Sequence, residues 1–107
     1  MALDFHLAED VREARRNHPA LAVEYEIHEK CFSEEILAEL RLPLLGRLKD
    51  YYADATFSVD ELGALGAEID RLRGSFNDTA ARNFLHELLD LIQRAAIDRQ
   101  SVFALAD

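Results

Sequence analysis

The sequence predicts a mainly α-helical fold, a small single-domain bundle of four to five helices built from residues 1–107. Three observations lead to this prediction. Apolar side chains recur at intervals of three and four residues through the last two thirds of the chain. Serine and acidic residues stand where these stripes begin, as they do at helix N-termini. Half of the residues are apolar and 31% are charged, a balance typical of a globular domain.

The N-terminal third is ambiguous. Residues 8–17 fit a helix in which Glu13 and Arg16 could pair one turn apart. On either side, residues 3–7 and 21–27 alternate apolar with polar or small side chains, a pattern typical of half-buried strands. The bundle interpretation instead makes residues 19–32 a helix that begins near a proline. The alternative fold is therefore α+β, with short strands near residues 3–7 and 21–27.

The next helix is predicted to begin at Ser33. Its hydroxyl can accept a backbone N–H, and the two glutamates that follow complement the positive end of the helix dipole. An apolar stripe continues at helical spacing through Leu37, Leu40, Leu44, Leu48, Tyr51 and Ala55. Because Pro43 interrupts this stripe, we expect either a kinked helix or two short helices that meet at residues 41–43.

A further helix is predicted to follow the sequence SVDE, in which Ser58 and Glu61 have the spacing of a capping box. Its apolar stripe consists of Leu62, Leu65, Ile69 and Leu72, and Gly74 is a natural end. Gly63 and Gly66 each cost this helix about 1 kcal/mol relative to alanine. Two glycines at this spacing would let another helix approach closely, which makes a structural homodimer one hypothesis.

The longest predicted helix begins after Ser75 or Asn77 and runs to about residue 99. Asp78 would lie in its first turn. Its wide apolar face predicts a central position in the domain; the residues of this face are Ala81, Phe84, Leu85, Leu88, Leu91, Ile92 and Ala95.

Charge and cysteine content narrow the class of protein. The formal net charge is -9 and the excess of acids is spread along the chain, so the protein should repel nucleic acid and anionic membranes and favour basic partners. The single cysteine excludes an intrachain disulfide. The first ten residues lack the features of a signal peptide, and no apolar run is long enough to span a membrane. We therefore expect a cytoplasmic protein.

One stretch, LAVEYEIHEKCF at residues 21–32, is rich in side chains that bind metals. On a helix, Glu24 and His28 would project from one face, and His86 and Asp90 form a second pair at the same spacing. Two such pairs on facing helices could bind zinc or iron. The alternative is that His86 and Asp90 belong to a solvated ladder with Arg82 and Arg94.

Catalysis through Cys31 is a weaker hypothesis. His28 lies three residues away and could act as its base, but a lone cysteine on an apolar stripe is typically a small buried hydrophobic residue. The chain also lacks a glycine-rich phosphate loop and a Gly-x-Ser-x-Gly nucleophile elbow.

These observations favour a binding protein over an enzyme. We expect a non-enzymatic protein without a cofactor that binds a basic protein partner; the predicted contact residues are Glu24, Glu26, Glu29, Asp50, Tyr52 and Asp54. In size and charge, though not in any motif, the chain is similar to bacterial immunity proteins that neutralise toxins. The alternatives are a metal-binding protein or metalloenzyme that uses Glu24, His28, His86 and Asp90, and a structural homodimer.

Overall fold

The computed structural model describes residues 2–106 and shows an α+β fold. The strands are β1 (Leu3–Ala8), β2 (Leu21–Val23), β3 (Ala55–Phe57) and β4 (Ser101–Ala106). The α-helices are α1 (Val11–Arg16), α2 (Tyr25–Cys31), α3 (Glu34–Glu39), α4 (Leu62–Arg73) and α5 (Thr79–Asp98), and short 3-10 helices cover Leu45–Leu48 and Val59–Glu61. The predicted mainly α-helical bundle is therefore wrong, and the α+β alternative fits.

The four strands form one antiparallel sheet in the order β2-β1-β4-β3. The two longest strands, β1 and β4, pair at its centre from Leu3 opposite Ala106 to Ala8 opposite Ser101. The three-residue strands β2 and β3 form the edges. The centre of the sheet thus joins segments from opposite ends of the sequence, and no local pattern predicts such a pairing.

The sheet is covered on both faces. Leu3 and Phe5 of β1 belong to the large core cluster, which also contains the apolar faces of α4 and α5. The opposite face carries a smaller cluster, in which Ala14 of α1 packs with Ala8, Phe103 and Leu105. Because both of its faces are buried, β4 has the nearly continuous apolar sequence SVFALA without the alternation that reveals a strand.

The predicted helix over residues 33–55 divides into three elements. It begins as expected, with the Ser33 hydroxyl accepting a hydrogen bond from the Ile36 N–H, but α3 ends at Glu39. Arg41 then adopts a left-handed backbone with φ of 55°, and the Leu42 N–H donates to the Leu37 carbonyl. This reversal is a helix-ending arrangement that glycine usually provides. The apolar stripe predicted to continue through Ala55 is not helical at its end, because Ala55 belongs to strand β3.

Residues 19–32 combine the two predicted alternatives, because β2 covers 21–23 and α2 covers 25–31. Two predicted helices are confirmed. The helix predicted after the capping box of Ser58 and Glu61 is α4, and the helix predicted to run to about residue 99 is α5. The predicted cap of α5, Ser75 or Asn77, is wrong: the cap is Asp78, whose carboxylate accepts a hydrogen bond from the Ala81 N–H. Among residues 2–106, no helix combines the length and the apolar character needed to cross a bilayer.

Candidate functional site

Helix α2 separates the polar side chains of the stretch LAVEYEIHEKCF into two groups. His28 and Cys31, three residues apart, point into the core and are fully buried. Tyr25, Glu26 and Glu29 lie on the exposed side of the same helix. These five side chains are close in the sequence but do not form one site. Only the three exposed side chains can contact a partner.

His28 ties α2 to the end of the 3-10 helix Leu45–Leu48. Its Nε2–H donates to the Leu48 carbonyl at 2.5 Å, and its ring packs edge-on against the rings of Phe32 and Tyr51. Burial lowers the pKa of His28, although the Leu48 carbonyl and the carboxylates of Glu29 and Asp50 act in the opposite direction. The imidazole is thus a neutral, structural group that positions the residues after Leu48.

Three tyrosines connect the two regions in which contact residues were predicted. The buried ring of Tyr51 packs edge-on against Tyr25 of α2, with 5.4 Å between ring centroids, and against Tyr52 at 5.2 Å. Tyr25 and Tyr52 remain 49% and 63% exposed, whereas Tyr51 is 4% exposed. Two solvent-facing aromatic side chains are therefore held on either side of a fixed buried one.

Three carboxylates lie on the same two chain segments as these tyrosines. Asp50 accepts a hydrogen bond from the Tyr52 N–H at 2.9 Å, and both Asp50 and Glu29 are close enough to His28 to affect its titration. The neighbouring lysines pair elsewhere, Lys30 with Asp78 and Lys49 with Glu34. We define the tyrosine–acid surface as Tyr25, Glu26, Glu29, Asp50 and Tyr52; none of its three carboxylates forms an ion pair with any residue from 2 to 106.

Two predicted contact residues lie outside this surface. Asp54 accepts a hydrogen bond from the Ala106 N–H at 2.8 Å and pairs with Arg15 at 3.2 Å, so its carboxylate joins α1 to the end of β4. Glu24 caps the start of α2 without a side-chain cap bond and lines a shallow groove beside Asn83 and Glu87 of α5. Of the predicted set, Glu29, Asp50 and Tyr52 thus lie around His28 and Tyr51 together with Tyr25, and Glu26 is exposed on α2 next to Tyr25 in the chain.

The four predicted metal ligands are not brought together. His28 is buried with Nε2 on the Leu48 carbonyl, while Glu24 is exposed at the start of α2. His86 and Asp90 lie 3.6 Å apart on the exposed face of α5, and Arg73 contacts the other nitrogen of His86 at 3.3 Å. Within residues 2–106, no three His, Cys, Asp or Glu side chains form a group that could hold a metal ion. Metal binding stays a prediction.

Cys31 has the environment of a core residue. It is fully buried, and burial raises the pKa of its thiol to about 12. Because the thiolate is the nucleophilic form, this environment suppresses the reactivity that the cysteine hypothesis requires.

Sequence reasoning missed a buried carboxylate that positions the segment before the site. Glu68 of α4 is 8% exposed and accepts hydrogen bonds from the Leu44 and Leu45 N–H groups at 3.0–3.3 Å. It holds the start of the 3-10 helix whose other end contacts His28. Its position beside Leu65 and Ile69 on the apolar stripe of α4 indicates a buried carboxylate in the sequence itself, because a glutamate there needs hydrogen-bond donors in the core.

The comparisons with known proteins give no relative for this chain. No protein-family model, no curated protein and no solved structure matches it.

Proposed function

We propose that this is a non-enzymatic binding protein whose tyrosine–acid surface docks a basic protein partner. The observation that supports this proposal is the packing of Tyr25 and Tyr52 against the buried Tyr51, on segments whose three carboxylates form no ion pair within residues 2–106. Tyrosine is enriched among the side chains that contribute most to protein interfaces. The bound partner is neutralised because its basic face is covered, as in the action of an immunity protein.

Docking proceeds in two physical steps. The net charge of -9 attracts a basic surface over several ångströms, and the carboxylates of Glu26, Glu29 and Asp50 orient it. The rings of Tyr25 and Tyr52 then enter the contact. Because both rings already pack against Tyr51, they lose less rotational freedom on binding than unsupported side chains would.

The cytoplasm is the proposed place of action. The chain has one cysteine, and Cys31 is a free thiol buried in the core. A domain of this kind has no disulfide to form and keeps its thiol in a reducing compartment.

A capture experiment with two baits tests the proposal. Wild-type protein and a Tyr25→Ala/Tyr52→Ala variant are immobilised and exposed to lysate of the native host at low and high salt. We expect the wild type to retain a basic protein at low salt and release it at high salt, because screening weakens attraction between exposed charges. The double variant should retain far less of the same protein.

Two control baits make the result specific to the surface. Ile97→Ala removes an exposed apolar side chain from α5, where Ile97 is 81% exposed, and Glu87→Gln removes an exposed carboxylate from the same helix. Both should retain the partner as the wild type does. Equal retention by the Tyr25→Ala/Tyr52→Ala bait, or retention of acidic proteins only, would contradict the proposal.

A further inference from the structure

A second surface of different character lies between α3 and the 3-10 helix Leu45–Leu48. It is a groove with a volume of about 640 Å³. Its apolar lining consists of Leu37, Ala38, Leu42, Pro43 and Gly46, and its charged lining consists of Glu34, Arg41, Arg47 and Lys49. Sites for small molecules typically have volumes of roughly 300–1,000 Å³ and apolar walls with a few charged groups.

The charge of this groove is opposite to that of the whole chain. Acidic residues outnumber basic ones by 21 to 12 in the sequence, yet the groove has three cations and one carboxylate. That carboxylate, Glu34, pairs with Lys49 at 3.8 Å. The local excess of positive charge beside an apolar wall matches a ligand that carries one negative charge on an apolar body.

The three cations differ in the hydrogen bonds and ion pairs that they already form within the protein. Arg47 donates to Glu61 and to the Thr56 carbonyl and stacks over the ring of Phe57. Lys49 has only its long contact with Glu34. The Arg41 guanidinium makes no hydrogen bond or ion pair with any of residues 2–106, so it is the cation available to a ligand.

Arg41 also occupies a backbone position that favours glycine. Its φ of 55° lies in the left-handed region, which is unfavourable for an L-residue. The position follows α3 in a helix-ending turn, where glycine is the usual residue. Replacement by glycine therefore removes the guanidinium and relieves the backbone at the same time.

We propose that this groove binds a small amphipathic anion, specifically an aliphatic carboxylate such as a medium-chain fatty acid. The hydrocarbon chain would lie on the exposed Ala38 and Pro43 and across Gly46, where its removal from water is favourable. The carboxylate would accept hydrogen bonds from Arg41, whose planar donors match its geometry, with Lys49 beside it. No residue of the tyrosine–acid surface takes part, so this site and the proposed function can fail independently.

Titration of the full chain with decanoate, at concentrations below micelle formation, tests the proposal by NMR and calorimetry. We expect saturable binding with backbone amide shifts at Ala38, Leu42 and Gly46. Acetate, which has the carboxylate without the chain, should produce no such shifts. Absence of decanoate binding, or binding that acetate reproduces, would overturn the proposal.

A matched pair of variants identifies the guanidinium that binds. Arg41→Gly should weaken decanoate binding by about tenfold, the loss of one charge-assisted contact. Arg99 is the control, because it is an exposed arginine at φ of 54° that ends α5 outside the groove. Arg99→Gly makes the same change of charge and backbone and should leave the affinity unchanged. Equal losses in the two variants would contradict the assignment.

A second pair tests the apolar wall. Ala38 is exposed on α3 and lines the groove, so Ala38→Glu places a carboxylate against the ligand while keeping a helix-forming residue. We expect Ala38→Glu to abolish binding and Ala38→Gln to retain more of it. Binding to anionic vesicles without binding to monomeric decanoate, or a dimer at this groove that decanoate does not displace, would also overturn the proposal.

Discussion

The Nε2 atom of His28 lies 2.5 Å from the carbonyl oxygen of Leu48, so a fully buried imidazole joins α2 to the segment that carries the tyrosines. The same ring packs against Tyr51, whose own neighbours are Tyr25 and Tyr52. The arrangement of the tyrosine–acid surface therefore depends on contacts beneath it that are not exposed to solvent.

Stability should fall as the pH decreases below about 6.5, the ordinary pKa of histidine. Burial lowers the pKa of His28 in the folded state, so the unfolded chain binds its proton more readily. The contribution of the neutral ring is fully present above that pH and is lost as the pH falls toward the folded-state pKa. Urea unfolding at about pH 7.5 and 5.5 measures the loss.

The control for this prediction is His28→Gln, which cannot gain a proton. The variant starts from a lower stability because the ring packing is lost, but its decrease between the two pH values should be smaller than that of the wild type. An equal decrease in both proteins would assign the pH dependence to other groups.

Tyr51 and Tyr52 are adjacent in the sequence, but their replacement by alanine should lower the free energy of unfolding by very different amounts. Tyr51 is 4% exposed, and loss of a buried aromatic ring typically costs about 3–5 kcal/mol of unfolding free energy. Tyr52 is 63% exposed, so Tyr52→Ala should change stability by no more than about 0.5 kcal/mol. Denaturant unfolding of the two variants makes the comparison. Similar losses would show that Tyr52 is part of the core and unsuited to binding.

Glu61 should remain ionised to unusually low pH. The hydrogen bond from Arg47, supported by the Ser58 N–H, lowers the pKa of Glu61 to about 2. Its contribution to stability is present above the unfolded-state pKa and is lost as the pH falls through the folded-state value. NMR titration of the side-chain carboxyl group measures this pKa directly.

Arg47→Gln should raise the pKa of Glu61 toward its ordinary value, because the largest cause of the shift is removed. Lys49→Gln removes a positive charge that pairs with Glu34 and does not bond to Glu61, and it serves as the control. A low pKa that persists in Arg47→Gln would refute the role given to Arg47.

Gly63→Ala should stabilise the protein by about 0.5–1 kcal/mol, because glycine inside a helix loses more backbone freedom on folding than alanine does. A β-carbon built at Gly63 meets no heavy atom within 4 Å. Thermal unfolding of dilute protein measures the gain. Destabilisation by alanine, together with a dimer mass in light scattering, would instead support the homodimer hypothesis, in which this face of α4 contacts a second copy.

The helices of this fold were more predictable than its sheet, for physical reasons. In α4 and α5 the apolar residues repeat over 12 and 20 residues, long enough for a helical period to be distinct. Ala55 fitted the helical stripe by spacing alone, yet it pairs with Ala104 in the sheet. Strand β4 is buried on both faces and shows no alternation, so its sequence fits a helix equally well.

The sequence predicts which residue types form the tyrosine–acid surface, but it does not predict the tertiary contacts that join them. Residues 24–29 and 50–54 were identified from their acids and tyrosines, but the contact between Tyr25 and Tyr51 joins segments 26 residues apart. Asp54 shows the converse, since its bond to the Ala106 N–H spans 52 residues and removes it from the surface. Which carboxylates stay unpaired depends on tertiary contacts that leave no local signal.

Charge-steered docking at the tyrosine–acid surface is tested by the ionic-strength dependence of association with the captured basic partner. We expect the association rate of the wild type to fall steeply with added salt, and the rate of a Glu26→Gln/Glu29→Gln/Asp50→Asn variant to be slower and less dependent on salt. A variant that also removes three exposed carboxylates but lies elsewhere, Glu87→Gln/Asp98→Asn/Asp60→Asn, should keep most of the wild-type dependence. Association that is insensitive to salt, or equally affected in both variants, would contradict docking through these three carboxylates.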